Sequence, residues 1–374
     1  MKRTATLLAL ILIAACAARA QWTIENSGTT ADLRGVDNVG GGVAWASGTN
    51  GTVLRTEDGG YVWQSCSIPP DAEHLDFRGI QAFDANTAIV MSSGKGDLSR
   101  LYKTTDGCHT WKLVFTDPDE DGFFDAIYRA EDKNLYVLGD PVNGAFPIFT
   151  SEEAGESWFV VGEAGRDSHP GDTAFAASNT DFTGSSSILM FGSGGSASAY
   201  VYTTGVKCSP PPGHPNGPAI VDCTIAWGSA AVPIGSGSST SGVFSLAARP
   251  FTAKNGLQTA IVVAVGGAYD RPDDSSHAAA FSIDGGTQWI ASTTPPHGYR
   301  SAVAYDPDAK TWITVGPNGT DISTDDGKNW RALHPDAASH EAPDADRNWN
   351  ALSLPFVVGP HGRIGKLNPH ALTP

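Results

Sequence analysis

Charge, sulfur and long apolar runs are all scarce in this chain of 374 residues, and each shortage removes a class of function. Only 24 Lys and Arg stand against 40 Asp and Glu, a net charge of −16, so no basic face is available to track a phosphate backbone and nucleic acid is excluded as a partner. Beyond the N-terminus no segment approaches the roughly 20 apolar residues of a membrane span, so no transmembrane segment is expected. No CxxC, HxH or HExxH spacing occurs, so His109, His297, His334, His340 and His370 read as loop residues. No Gly-rich turn has the strand-to-helix setting of a phosphate loop, and no nucleotide cofactor is expected. Amphipathic helices of period 3.6 are missing too. With 43 glycines and many short apolar runs, the class is all-β.

The N-terminus is set apart. Lys2 and Arg3 precede an apolar run from Leu7 to Ala15, and Ala18 and Ala20 frame a cleavage site, so residues 1–20 read as a signal peptide and the mature chain as periplasmic or secreted. Ile13-Ala14-Ala15-Cys16 also resembles a bacterial lipobox, which would make Cys16 a lipid anchor. Four cysteines follow, an even number that favours disulfides in an exported protein.

One hairpin is written repeatedly: TEDGGYVW from Thr56, TTDGCHTW from Thr104, SEEAGESW from Ser151, SIDGGTQW from Ser282 and STDDGKNW from Ser323. In the shared frame Ser/Thr-x-Asp-x-Gly-x-x-Trp, the acid accepts backbone N–H groups across a tight turn. Gly supplies a left-handed backbone, and Trp packs between sheets. A further copy has lost its turn to a Pro/Gly-rich insert between Cys208 and Cys223, which a disulfide would close. Two strands precede each hairpin, the first beginning near Arg34, Arg78, Asp125, Phe175, Phe244, Ser301 and Asn350. Seven units result, one β-propeller domain over residues 21–374. The last unit, from Trp349 to about Asn368, has only three strands, while an orphan strand lies at residues 21–25. Pairing the two closes the ring as a seven-bladed propeller of four-stranded blades without an open edge. Cys66 and Cys108 would then face each other from blades one and two as a disulfide staple, the alternative being a reactive dithiol.

The hairpins resemble the Asp boxes of bacterial-neuraminidase repeat (BNR) propellers, and NSGTTADLRGV…WASGTNGTVLRTEDGG most resembles photosystem II stability/assembly factor-like proteins. The resemblance covers essentially the whole mature chain. It implies an exported propeller without known catalysis that holds a protein partner in the cell envelope through arginines of its inner face. Those arginines correspond here to Arg34, Arg78 and Arg300.

In a four-stranded blade the repeated hairpins mark one face, so a partner site is expected at the other mouth of the channel, where first strands begin. That mouth should collect Arg34, Arg78, Asp125, Asp140, Tyr299, Arg300 and Asn350, with Tyr269, Asp270, Arg271 and His361 nearby. Converging guanidinium groups fit carboxylates, whereas the bland alternative has them paired with Asp125, Asp140 and Asp270. A second function is sialidase-like glycoside hydrolysis or glycan binding, which would need an arginine triad and a Tyr–Glu nucleophile pair. The sialidase motif Phe/Tyr-Arg-Ile-Pro is departed from at Phe77-Arg78-Gly79-Ile80, and no Glu neighbours Tyr299 in sequence. Finally, Asp117, Asp119 and Asp121, with Asp125 at the ninth position, have the oxygen spacing of a calcium loop. Tyr128 in place of the twelfth-position Glu makes it at best a weak extracellular-type site.

Overall fold

The computed structural model describes residues 21–162, 165–185, 188–209, 222–252, 256, 258–369, 371 and 372, with only the backbone described at 206–209 and 222–225. Residues 1–20, and with them the expected signal peptide and Cys16, lie outside the described residues.

Seven antiparallel sheets of four strands are arranged as blades. Their innermost strands are Leu33–Gly40, Phe77–Ala82, Phe124–Arg129, Phe182–Ser185, Ser241–Thr252, Ala302–Asp306 and Ala351–Ser353. Within each of the first six blades the strand order follows the chain. In the seventh, the strand Trp22–Glu25 lies outside Ile364–Leu367, Phe356–Val358 and Ala351–Ser353, as the expected closure requires. Trp22 pairs in register with Leu367 and packs on Trp349 with ring centroids 5.9 Å apart. The Glu341 carboxylate accepts from the N–H groups of Gln21 and Trp22, so the first residues of the strand are held at both backbone and side chain.

Strands such as Ala88–Ser92 and Thr311–Gly316 are buried at every position because a blade is covered on both sides. Hydrophobic clusters therefore lie between neighbouring blades. Trp45, Phe77, Tyr102 and Trp111 fill the junction of blades one and two, and Trp22, Ile313, Trp349 and Leu352 that of six and seven. Among the described residues only the 3₁₀ turns Gly96–Leu98 and Ala337–Ser339 are helical, and no helix is long and apolar enough to cross a membrane.

The repeated hairpins share one hydrogen-bond scheme. Thr56 Oγ1 donates to Asp58 Oδ1 at 2.9 Å and accepts from the Gly60 N–H at 3.0 Å, while Asp58 Oδ1 accepts from the Val62 N–H at 3.0 Å. In the third copy the hydroxyl bond survives between Ser151 and the Gly155 N–H. There the longer Glu153 accepts from Ser157 Oγ, so the turn tolerates loss of the Asp. In the second copy Cys108 takes the left-handed backbone of the missing Gly, with φ of 65°.

Cys108 is bonded to Cys66 across blades one and two, 42 residues apart in sequence. Replacing both by Ala is expected to lower stability by about 4 kcal/mol, the loop-closure entropy that the crosslink removes from the unfolded chain. Urea denaturation of wild type and double variant reads this directly, and equal midpoints would deny the staple any role in stability.

Two blades depart from the repeat. In the fourth, Ala199–Ser209 and Asp222–Val232 form a long hairpin that pairs the Cys208 backbone with that of Cys223. The side chains, and hence the expected bridge, lie outside the described residues. In the fifth, Ser241–Thr252 and Gln258–Ala268 are lengthened, which nothing in the repeat pattern signals. The first strand of blade four also begins at Phe182 and not near Phe175. The residues before it leave the sheet and cross to the inner strands of other blades.

Candidate functional site

Residues 173–181 are anchored by carboxylates at successive backbone N–H groups. Asp140 accepts from Thr173 Oγ1 and the Ala174 N–H, and Asp181 from the Phe175 N–H. Asn179, with a left-handed backbone, then accepts from the Ile127 N–H at 2.8 Å and donates to the Ile80 carbonyl at 3.2 Å. Thr180 bonds Ser245 Oγ at 2.6 Å, and its carbonyl accepts from the Leu246 N–H. The segment thus ties blade four to the inner strands of blades two, three and five. A Cβ at Gly79 would stand 2.7 Å from Asn179 Oδ1, so the residue that breaks the sialidase-type motif gives room to the crossing chain.

On the face opposite the repeated hairpins, Arg34 and Arg78 open the inner strands of blades one and two. Asp76, in the link between those blades, accepts from Arg78 Nε at 2.8 Å and stands 4.0 Å from Arg34 Nε. Arg78 Nη1 also donates to the Ala176 carbonyl of the crossing segment. All three charged side chains remain about a quarter to a third exposed, at 29%, 30% and 24% for Arg34, Arg78 and Asp76.

Behind them, burial drives the carboxyls of Asp125 and Asp181 far above the usual carboxylate range, with Asp140 adding to both, and burial raises Asp140 as well. Asp125 Oδ2 and Asp181 Oδ1 are buried without hydrogen-bond partners. Burial thus disfavours the charged form of both acids. Arg34 and Arg78 share one ion-pair partner, Asp76.

Beside the arginines lies an aromatic ledge. Phe175 stacks on Phe244 at 3.9 Å, Tyr299 meets Phe244 edge-on at 4.8 Å, and the exposed Tyr269 does so at 6.1 Å. Tyr299 lies within electrostatic reach of Arg34 and Asp181. It is itself buried, and burial pushes its phenol far up, which opposes formation of a phenolate nucleophile.

Other expected members of this mouth are elsewhere or already occupied. Arg300 is fully buried, bonded to Asp321, Asn318 and the Tyr299 carbonyl, and cannot touch a partner. The expectation of an accessible Arg300 is therefore corrected: a buried acid on the neighbouring hairpin draws it inward. Asp140 holds the crossing segment and Asp125 is buried, so neither is a free contact residue. Asn350 Nδ2 donates to the Leu33 carbonyl, joining blade seven to blade one. Asp270 accepts from Thr240, Arg271 pairs with Asp274, and His361 is exposed.

The four carboxylates of the expected calcium loop do not converge. Asp117 accepts from the Asp119 N–H, Asp119 from the Asp121 N–H, and Asp121 pairs with Lys95 at 2.8 Å, while Asp125 faces the channel. Among the described residues no group of three or more His, Cys, Asp or Glu side chains could hold a metal ion. The carboxylates serve the loop as turn-forming acceptors. Asp76, Phe175 and Asp181 were not singled out in the sequence. The Phe175-to-Asp181 stretch lacks apolar alternation, a weak sign that it is not a strand.

No protein-family model matches this chain, and no curated protein matches it in sequence. Solved structures do. YCF48 bound to a D1 peptide is similar over 95% of this chain and 99% of its own, with 16% identity and a TM-score of 0.58. YCF48 from Cyanidioschyzon merolae is similar over 94% of this chain and 100% of its own, again at 16% identity, with a TM-score of 0.52. At that identity the likeness is one of fold, a seven-bladed propeller matched along nearly its whole length.

Proposed function

We propose that this protein is a binding or assembly propeller of the cell envelope. On this reading it holds a protein partner at the mouth opposite the repeated hairpins, with Arg34 and Arg78 as the principal contacts. The observation that carries this reading is the pair of partly exposed arginines sharing one ion-pair partner, Asp76, beside the Phe175–Phe244–Tyr269 ledge. Such a surface offers bidentate sites for carboxylates of a partner and an apolar shelf for its neighbouring side chains. The solved complex of a similarly folded propeller with a peptide supports the reading by analogy.

The test compares immobilised wild type with the Arg34→Ala/Arg78→Ala variant in quantitative capture from envelope extracts. A protein retained by wild type is expected to fall by about tenfold or more on the variant, as for truncation of a hot-spot arginine. Equal recovery by both would place the partner site elsewhere. Because both side chains are partly exposed, the variant should keep the wild-type melting curve, which separates lost contact from lost fold.

A further inference from the structure

The inner strands begin at the Arg34–Arg78 mouth and end at the mouth on the hairpin face. Two cavities open there, where inner strands end. One, of 560 Å³, is lined by Val303, Tyr305, Leu354 and Arg249 of blades five to seven. Its arginine is neutralised: Asp326 Oδ1 accepts from Arg249 Nε at 3.0 Å and from Nη2 at 2.8 Å. The other, of 460 Å³, is lined by Asp37, Gln81, Phe83, Tyr128, Arg129 and Lys133 of blades one to three.

Here the charges are left open. The Arg129 guanidinium lies over the Phe83 ring, 4.8 Å from its centroid, and makes no ion pair or side-chain hydrogen bond among the described residues. Stacking fixes its plane while leaving its N–H edge toward the cavity free. Asp37 Oδ2 accepts from the Ala82 N–H at 2.7 Å and from Gln81 Nε2 at 2.8 Å, but no cation closes on it. Arg129 acts on Asp37 only through space, and burial still holds the carboxyl at about 6. An acid and a base therefore line one small cavity without pairing, each lacking its counter-charge. Lys133 and Glu131, both exposed, stand at the rim.

We propose that this cavity binds a small zwitterion of the α-amino-acid class, with its carboxylate on Arg129 and its ammonium on Asp37. A simple anion would leave Asp37 without a cation and set two carboxylates together, and a simple amine would leave Arg129 unmatched. Only a ligand carrying both charges satisfies both walls, and the volume is that of a small-molecule site. The site is distinct from the Arg34–Arg78 mouth because its lining residues stand at the ends of the inner strands that Arg34 and Arg78 begin, and neither arginine lines it.

Calorimetric titration of the full chain at pH 7.5 with alanine, propionate and ethylamine tests this. Alanine should bind, with each half-molecule about tenfold weaker or more, because each forfeits one charge-assisted contact. Arg129→Gln, on the cavity wall, and Asp37→Asn, which keeps an acceptor for the Ala82 N–H, should each weaken alanine by a similar factor. Arg34→Ala/Arg78→Ala should leave it unchanged, so failure here is distinguishable from failure of the partner site. The proposal is overturned if neither alanine nor any of the common amino acids binds. It is equally overturned if propionate matches alanine and Asp37→Asn is silent, which would make this an anion site, or if ethylamine matches alanine and Arg129→Gln is silent. Should Asp37→Asn fail to fold, the Arg129→Gln titration and the half-molecule comparison still decide.

Discussion

A chain that begins at Gly28 is expected to lose the cooperative unfolding of the ring, and Trp22→Ala alone to lower stability by about 3–5 kcal/mol, the range for truncating a large core aromatic. Trp22 is almost fully buried in the cluster between blades six and seven, against Trp349. The strand Trp22–Glu25 is the outer strand of the last blade, and Glu25 Oε2 accepts from Trp63 Nε1 of blade one at 2.8 Å. Its removal therefore unpairs an edge and loosens the junction with the first blade. In a closed ring each blade has two neighbours, and opening the ring leaves two blades with one each. Guanidinium denaturation followed by tryptophan fluorescence and far-UV dichroism reads both variants. An unchanged midpoint in the truncated chain would mean that closure contributes nothing.

Arg300→Ala is expected to cost about 3–5 kcal/mol, because it strands Asp321 in the interior. Both side chains are wholly inaccessible. Arg300 Nε donates to Asp321 Oδ2 at 3.0 Å, with Nη2 on the same oxygen, and Nη1 donates to the Tyr299 carbonyl at 2.8 Å. His297 Nδ1, 2.5 Å from Asp321 Oδ1, is on an exposed side chain and a poor replacement for the lost guanidinium. The double variant Arg300→Met/Asp321→Leu should recover most of the loss, since an apolar pair of similar volume avoids the desolvation of two charges. Thermal and urea unfolding of the single and double variants measures this cycle, and a single variant as stable as wild type would refute it. Folded Arg300→Ala protein should still retain the partner that Arg34→Ala/Arg78→Ala loses, because Arg300 does not reach the mouth.

The contrast among these arginines shows where reading the chain stops. Arg34, Arg78 and Arg300 all stand at the start of an inner strand, and pattern alone treats them alike. Arg34 and Arg78 meet a partly exposed Asp76, whereas Arg300 meets Asp321, an inward-facing residue on the third strand of its own blade. The same holds for the calcium spacing at Asp117, Asp119 and Asp121. Regular intervals also suit successive turns in which each acid caps the N–H two residues on.

The repeats, the number of blades, the outer position of the first strand and the face marked by the hairpins were legible in the chain because each is written locally. A turn needs its hydroxyl, acid and left-handed residue within a few positions, and a strand needs a continuous apolar run. Residues 173–181 escaped that reading because their partners, Asp140, Ile127, Ile80 and Ser245, come from other blades. So did the identity of the unpaired cations. Whether an arginine is offered to a ligand or consumed by an acid depends on which distant carboxylate the ring brings within a few ångströms, and on whether burial leaves that carboxylate charged. Tertiary structure alone decides both.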